Sequence, residues 1–252
     1  MVAWPMQIVG VIPARFGSVR FPGKPLTPIG SKPLLQWVLE GARQSSKISK
    51  ILVATDDARI KDLANSLGAE CAMTASDLPT GSDRVWKAIE HETVDVVVNI
   101  QGDEPLISGE VLDALVSPFM SDPQLDMATL ACSIKPDELQ SKNTAKIVTN
   151  HLGEAIYFSR FPIPYSRNSY EGQPDACLKH IGIYAYRKDF LKKFCDQSPV
   201  SFEKGESLEQ LRALYLGARI KVVKVDHQSW GVDTPEDVEL VVKKLKEKYG
   251  NV

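Results

Sequence analysis

The chain has 252 residues, 43% of them hydrophobic and 25% charged, with 30 Lys and Arg against 32 Asp and Glu. This is the composition of a globular protein with a substantial core, and it favours one α/β domain with a smaller lobe. A net charge of −2 leaves no basic footprint for nucleic acid, and no uncharged apolar run approaches the ~18 residues that cross a bilayer, so neither nucleic acid nor membrane is an expected partner.

Any polyanion site must therefore be local. Cys71, Cys132, Cys177 and Cys195 form no Cys-x-x-Cys pair and read as buried thiols of a reducing compartment. With no signal-peptide pattern at the start, a cytoplasmic location is expected.

Ile8-Val9-Gly10-Val11-Ile12 is short, β-branched and bounded by Pro13, which predicts a buried strand feeding a loop at its carboxyl end. The loop from Pro13 to Leu26 carries Arg15, Arg20 and Lys24, with Gly17 and Gly23 allowing close approach of the backbone. Such a loop suits a polyphosphate, or it is a solvated turn with its cations in water. It is not a P-loop: five residues separate Gly17 from Gly23, and Pro25 stands where a magnesium-binding Ser or Thr belongs. Nor does the chain contain any Gly-x-Gly, which argues against a nicotinamide oxidoreductase.

Next, Lys32 to Glu40 begins an amphipathic helix, Ile51–Ala54 is a strand, and Asp57 to Leu67 is a helix stopped by Gly68. That βαβ order predicts a parallel sheet. Thr55-Asp56-Asp57 reads first as a helix cap. After a short strand at 70–73, the loop Leu78 to Arg84 precedes a helix over 85–91, where Gly81, Ser82 and Arg84 hold a nucleotide or Ser82 caps the helix.

Val94 to Ile100 is the most strand-like segment, and Gln101-Gly102-Asp103-Glu104-Pro105 follows it. A carboxylate there is well placed for a hard cation beside phosphate, although turns are also rich in Asp. A helix over 108–120 and a strand over 127–134 come next. Short strands at 146–149 and 155–159 around Asn150 to Gly153 predict a hairpin within an antiparallel lobe over about 136–186.

Residues 177–186 alternate polar and apolar, as a half-exposed strand does. Helices are predicted over 189–195 and, unbroken, over 202–216, where Glu209 and Gln210 face solvent on pattern alone. A strand at 221–225 leads to Asp233-Thr234-Pro235, read as a loop Asp, an N-cap and a first helical residue, and then to a charged helix reaching Lys248.

Several of these stretches carry a resemblance in order and spacing over residues 7 to 245. Pro13 to Leu26 is similar to the N-terminal signature of the 3-deoxy-manno-octulosonate cytidylyltransferases, the CMP-Kdo synthetases. Gln101–Pro105, Tyr157-Phe158-Ser159-Arg160, His180–Tyr184, Leu208–Arg212 and Gly231–Asp237 match its later motifs.

The resemblance implies a Rossmann-like α/β nucleotidyltransferase with a mostly parallel central sheet, helices on both faces and the antiparallel insertion. It implies Mg²⁺-dependent coupling of CTP to the anomeric hydroxyl of an acidic eight-carbon sugar for lipopolysaccharide synthesis, in a homodimer. It assigns Arg15, Lys24, Asp103 and Asp233 to catalysis and the last two to Mg²⁺. Ala14, Arg15, Gly17, Ser18, Arg20, Lys24, Gly81, Ser82, Arg84 and Asp103 take the nucleotide. Gln101, Arg160, His180, Tyr184, Glu209 and Gln210 take the sugar.

Two stretches depart from the family pattern, Leu78-Pro79-Thr80 and Lys142 to Val148. They leave the choice between the sugar acid, its 8-amino analogue and, more remotely, a sialic acid-type substrate. A non-catalytic nucleotide-sugar binder on the same fold would be expected to lack Lys24 or one carboxylate, and all three are present.

Overall fold

The computed structural model describes residues 6–18, 20–165, 167 and 177–250. Its contacts divide the chain into two compact units, residues 1–113 with 229–252, and residues 114–228.

The first unit contains β1 (Ile8–Pro13), a 3₁₀ turn (Lys24–Leu26), β2 (Pro28–Ile29), β3 (Lys32–Pro33), α1 (Leu34–Ala42), β4 (Lys50–Thr55), α2 (Ala58–Ser66), β5 (Glu70–Met73), α3 (Gly81–Ile89) and β6 (Val96–Asn99). Of its strands, β6, β1, β4 and β5 run parallel in that order. Ile8, Val11, Ile12, Val96, Val97 and Val98 are fully buried, because a parallel strand covered on both faces needs an apolar residue at nearly every position. All three neighbouring strands β6, β1 and β4 therefore open their loops at one edge: Gln101 to Asp103, the Arg15 loop, and Asp56. Open α/β sheets bind ligands at that edge.

The helix expected from Lys32 begins at Leu34, since Lys32 and Pro33 pair with Pro28 and Ile29 in a small hairpin. The helix expected over 85–91 begins earlier, at Gly81. Thr80 rather than Ser82 caps it, in a reciprocal box with Asp83.

After α4 (Gly109–Ser121), the second unit runs through β7 (Met127–Ser133), α5 (Pro136–Leu139), β8 (Lys146–Thr149), β9 (Ala155–Ser159), β10 (Leu178–Arg187), α6 (Lys188–Asp196), α7 (Ser201–Glu206), α8 (Gln210–Tyr215) and β11 (Ile220–Lys224). β7 pairs with β11 in parallel and with β10 antiparallel, and β10, β8 and β9 continue antiparallel. The expected hairpin is present. Asn150 closes it, its Oδ1 accepting from the amides of Leu152 and Glu154.

The single helix expected over 202–216 is two. Ser207 sits at φ 51° and ends α7, so α8 restarts on a new heading and buries Gln210 and Arg212 instead of exposing that face. Arg212 donates to both oxygens of Glu203, with the two side chains only 2% and 9% exposed.

The last helix, α9 (Asp237–Tyr249), returns to the first unit and packs Val241 and Leu245 with Ile29, Leu34, Trp37, Leu106 and Val232. It starts later than Thr234 and Pro235 suggested. The Asp237 carboxylate accepts from the amides of Asp233 and Thr234, which fixes the chain just ahead of the helix, while the N-cap Glu236 supplies no side-chain cap.

Candidate active site

Phe16 organises the basic loop. Its carbonyl accepts from the amides of Ser18 and Gly23, closing the loop on itself, while Gly23 takes φ 72° to make the turn. Its own amide donates to Asp56 at the end of β4, at 3.1 Å. The other Asp56 oxygen faces the Arg84 guanidinium at 3.5 Å, and Arg84 also donates to Thr74.

Arg84 is buried. That burial holds its guanidinium below its ordinary pKa, against the pull of Asp56. Asp57 does what the cap reading expected, accepting from the Arg59 amide at the start of α2. Asp56, absent from the expected site, joins the basic loop to Arg84.

On the other side, Gly102 lets the turn after β6 approach closely: a Cβ there would lie 2.7 Å from the Pro13 carbonyl oxygen. Asp103 follows, and its carbonyl accepts from the Val232 amide at 2.9 Å. Val232 is fully buried in the α9 cluster, so hydrophobic packing of the C-terminal helix delivers its neighbour Asp233 to the loop.

Both carboxylates converge on one nitrogen. Lys24 Nζ lies 2.9 Å from Asp103 Oδ2 and 3.7 Å from Asp233 Oδ1, and Arg20 makes a two-pronged pair with Asp233 at 3.0 and 3.2 Å.

These groups surround a cavity of about 290 Å³. Ala14, Arg15, Ser18, Arg20, Lys24, Gly81, Arg84, Gln101, Asp103 and Asp233 line it. Of the residues assigned to nucleotide, Gly17 and Ser82 are not in its lining. Gly17 has open space around it, and Ser82 is buried in the first turn of α3. Gln101, assigned to the sugar, belongs to this wall.

The remaining sugar-assigned residues lie in the second unit and separate into two groups. His180, Gln210 and Tyr184 meet: the Tyr184 hydroxyl donates to Gln210 Oε1 at 3.1 Å, and Gln210 Nε2 lies 3.4 Å from His180 Nδ1. Burial pushes the His180 pKa down to about 3, and burial, followed by the Glu209 charge, pushes the Tyr184 phenol up. Both side chains are therefore neutral hydrogen-bonding groups at neutral pH.

Arg160 and Glu209 are tied elsewhere. The Arg160 guanidinium donates to the carbonyls of Glu206, Lys142 and Ser207, and Glu209 pairs with Arg212 at 3.3 Å. Beside Arg160, the fully buried Lys146 gives its ammonium protons to the carbonyls of Ser141, Thr144 and Arg160, and burial lowers its pKa. Nothing in the local pattern marks this lysine, since a cation in a short strand ordinarily faces water.

A basic cavity with two converging carboxylates, at the carboxyl edge of a parallel sheet, is the architecture of a nucleotidyltransferase. The chain belongs to the cytidylyltransferase family, whose profile matches residues 9–220. It is 58% identical to the 3-deoxy-manno-octulosonate cytidylyltransferase of Bdellovibrio bacteriovorus over 95% of this chain and 98% of that protein. It is 45% identical to the same-named protein of Pelobacter propionicus over 92% of this chain and 95% of that one. A solved structure of CMP:2-keto-3-deoxy-manno-octonic acid synthetase complexed with CTP matches with a TM-score of 0.91 at 40% identity, over 96% of this chain and 99% of that one.

Proposed function

We propose that this protein couples CTP to 3-deoxy-manno-octulosonate, forming the CMP-sugar and pyrophosphate for lipopolysaccharide synthesis. The anomeric oxygen attacks the α-phosphorus, the bond to the β-phosphate oxygen breaks, and the hydroxyl proton is lost. Negative charge builds on the phosphate and departing pyrophosphate oxygens, so catalysis consists mainly of positioning and charge stabilisation.

Arg15, Arg20, Lys24 and Arg84 supply that stabilisation. The observation that carries the reading is the convergence of Asp103 and Asp233 on Lys24 within a cavity that these arginines also line. The Arg20–Asp233 pair, with side chains 65% and 51% exposed, adds only ~0–1 kcal/mol to stability, so it is readily exchanged for a ligand.

The same convergence suits Mg²⁺, a hard cation usually bound by one or two carboxylates together with phosphate oxygens and water. Two carboxylates already gather around a positive charge, held there by the Lys24 ammonium. Asp103 and Asp233 would hold the ion, which when bound neutralises phosphate charge and favours ionisation of the attacking hydroxyl.

In the second unit, neutral His180, Tyr184 and Gln210 offer donors and acceptors to sugar hydroxyls, and Arg160 offers a cation to the carboxylate. The antiparallel lobe supplies the homodimer contact. Ile156, Phe161 and Tyr165, 58%, 72% and 87% exposed, are the apolar groups a second copy would cover.

A reducing cytoplasm suits the four cysteines, none of which is in a disulfide. Cys132 and Cys177 are buried, while Cys71 and Cys195 are half-buried rather than fully buried as expected. No described helix is long and apolar enough to cross a membrane.

Pyrophosphate release from CTP is expected only when Mg²⁺ and a 2-keto-3-deoxy sugar acid are both present. Running the sugar and its 8-amino analogue side by side, with the product read by mass spectrometry, identifies the preferred acceptor. No release with either acid would overturn the assignment.

A further inference from the structure

Thr129 lies in the middle of β7 with no exposed surface. Opposite it, the register of β10 shifts between Ile181 and Tyr184, and this irregularity brings two carbonyls to one hydroxyl: the oxygens of Ile181 and Ile183 lie 3.2 and 3.0 Å from Thr129 Oγ1. Carbonyl oxygens only accept, so a threonine proton given to His180 would leave both carbonyls facing lone pairs, and one given to a carbonyl leaves a single such contact, which is the favoured arrangement. His180 Nε2, 3.0 Å from the same Oγ1, then faces lone pairs and has to carry a hydrogen.

A neutral imidazole with its proton on Nε2 has a bare Nδ1. Gln210 answers with its amide nitrogen, which turns its Oε1 toward the Tyr184 hydroxyl. The direction of every hydrogen bond in the cluster thus follows from the irregular backbone at 181–183, passed on by one hydroxyl.

We propose that Thr129 is a positioning residue that locks His180 in the Nε2–H tautomer and so orients Gln210 and Tyr184. Its effect on the substrate rests on reading this cluster as the sugar pocket. Without the hydroxyl, Gln210 can turn over, accept from a proton on Nδ1 and present its amide nitrogen to Tyr184. Two polarities then compete where one existed.

The test reads the tautomer directly in the ligand-free full chain. Long-range proton–nitrogen NMR on ¹⁵N-histidine protein resolves the four histidines, and the His180→Gln spectrum assigns the ring. Wild type should show the Nε2–H form alone, Thr129→Val should add resonances of the Nδ1–H form, and Thr129→Ser should restore the wild-type pattern.

In kinetics, Thr129→Val should raise KM for the sugar about tenfold while KM for CTP stays unchanged, an effect of the order of one lost hydrogen bond. Thr129→Ser should reverse it. A wild-type ring protonated on Nδ1 would overturn the lock whether or not the valine variant folds, and so would an unaltered Thr129→Val spectrum. A changed tautomer with an unchanged KM for the sugar would uphold the lock and overturn the sugar-pocket reading.

Discussion

The cavity in the first unit and the His180 cluster in the second are both built from polar side chains, yet on opposite physical terms. The cavity uses full charges, most of them in reach of water, and its most exposed pair, Arg20 with Asp233, is two-pronged yet solvated. The cluster uses neutral groups, Tyr184 and Gln210 buried and His180 half-buried, each hydrogen bond determined by the next. On the proposed function, a triphosphate would bring several negative charges that displace existing pairs, which exposed ion pairs permit at little cost. Sugar hydroxyls bring only dipoles, and these are recognised by dipoles held still, where an unmatched group costs about 1–3 kcal/mol.

The strongest challenge to this contrast is aimed beneath the cluster. Glu203→Ala leaves buried Arg212 without its main carboxylate and should destabilise the protein by about 3–5 kcal/mol in urea unfolding, whereas Arg20→Ala should cost no more than about 1 kcal/mol. Similar losses in the two variants would erase the distinction.

In the cavity the effect should fall on rate. Asp103→Ala or Asp233→Ala should lower turnover roughly 10²-fold or more, the scale of removing one transition-state charge stabiliser. Near-normal rates in both would mean the cation seat is misassigned.

A smaller effect tests how the cavity is braced. Asp56→Ala removes the carboxylate that the Phe16 amide and Arg84 share, and should raise KM for CTP about tenfold while leaving KM for the sugar in place, the scale of one or two lost charge-assisted hydrogen bonds.

The smallest separates the two regions by pH. His180 is held neutral in the fold, with its pKa near 3 against an ordinary 6.5, so the unfolded chain takes up a proton that the native one does not. Its contribution to stability is complete above about pH 6.5 and is lost as pH falls toward 3. Between about pH 7 and about pH 5.7, wild type should lose about 1 kcal/mol more than His180→Gln in urea titrations. Equal losses would show that the ring titrates normally.

The parallel strands were legible because β-branched runs such as Val96 to Val98 have few alternatives to a buried strand. The basic loop was legible because cations, glycines and prolines cluster there at a distinctive spacing. Asp56 was not, because Thr-Asp-Asp before a helix already has a complete local explanation as a cap, and Asp57 alone satisfies it. Gln210 looked solvent-facing because nothing in the helical periodicity announces the left-handed Ser207 that turns α8 inward.

By itself the sequence determined the strand and helix types, the loop chemistry and, through motifs in order, the family, since each depends on neighbours along the chain. Only the tertiary structure decided that Asp103 and Asp233 share one lysine, that the Arg160 guanidinium is held by backbone carbonyls, and that the Thr129 hydroxyl of β7 lies against His180. Those facts depend on distances between residues far apart in sequence, and packing alone sets them.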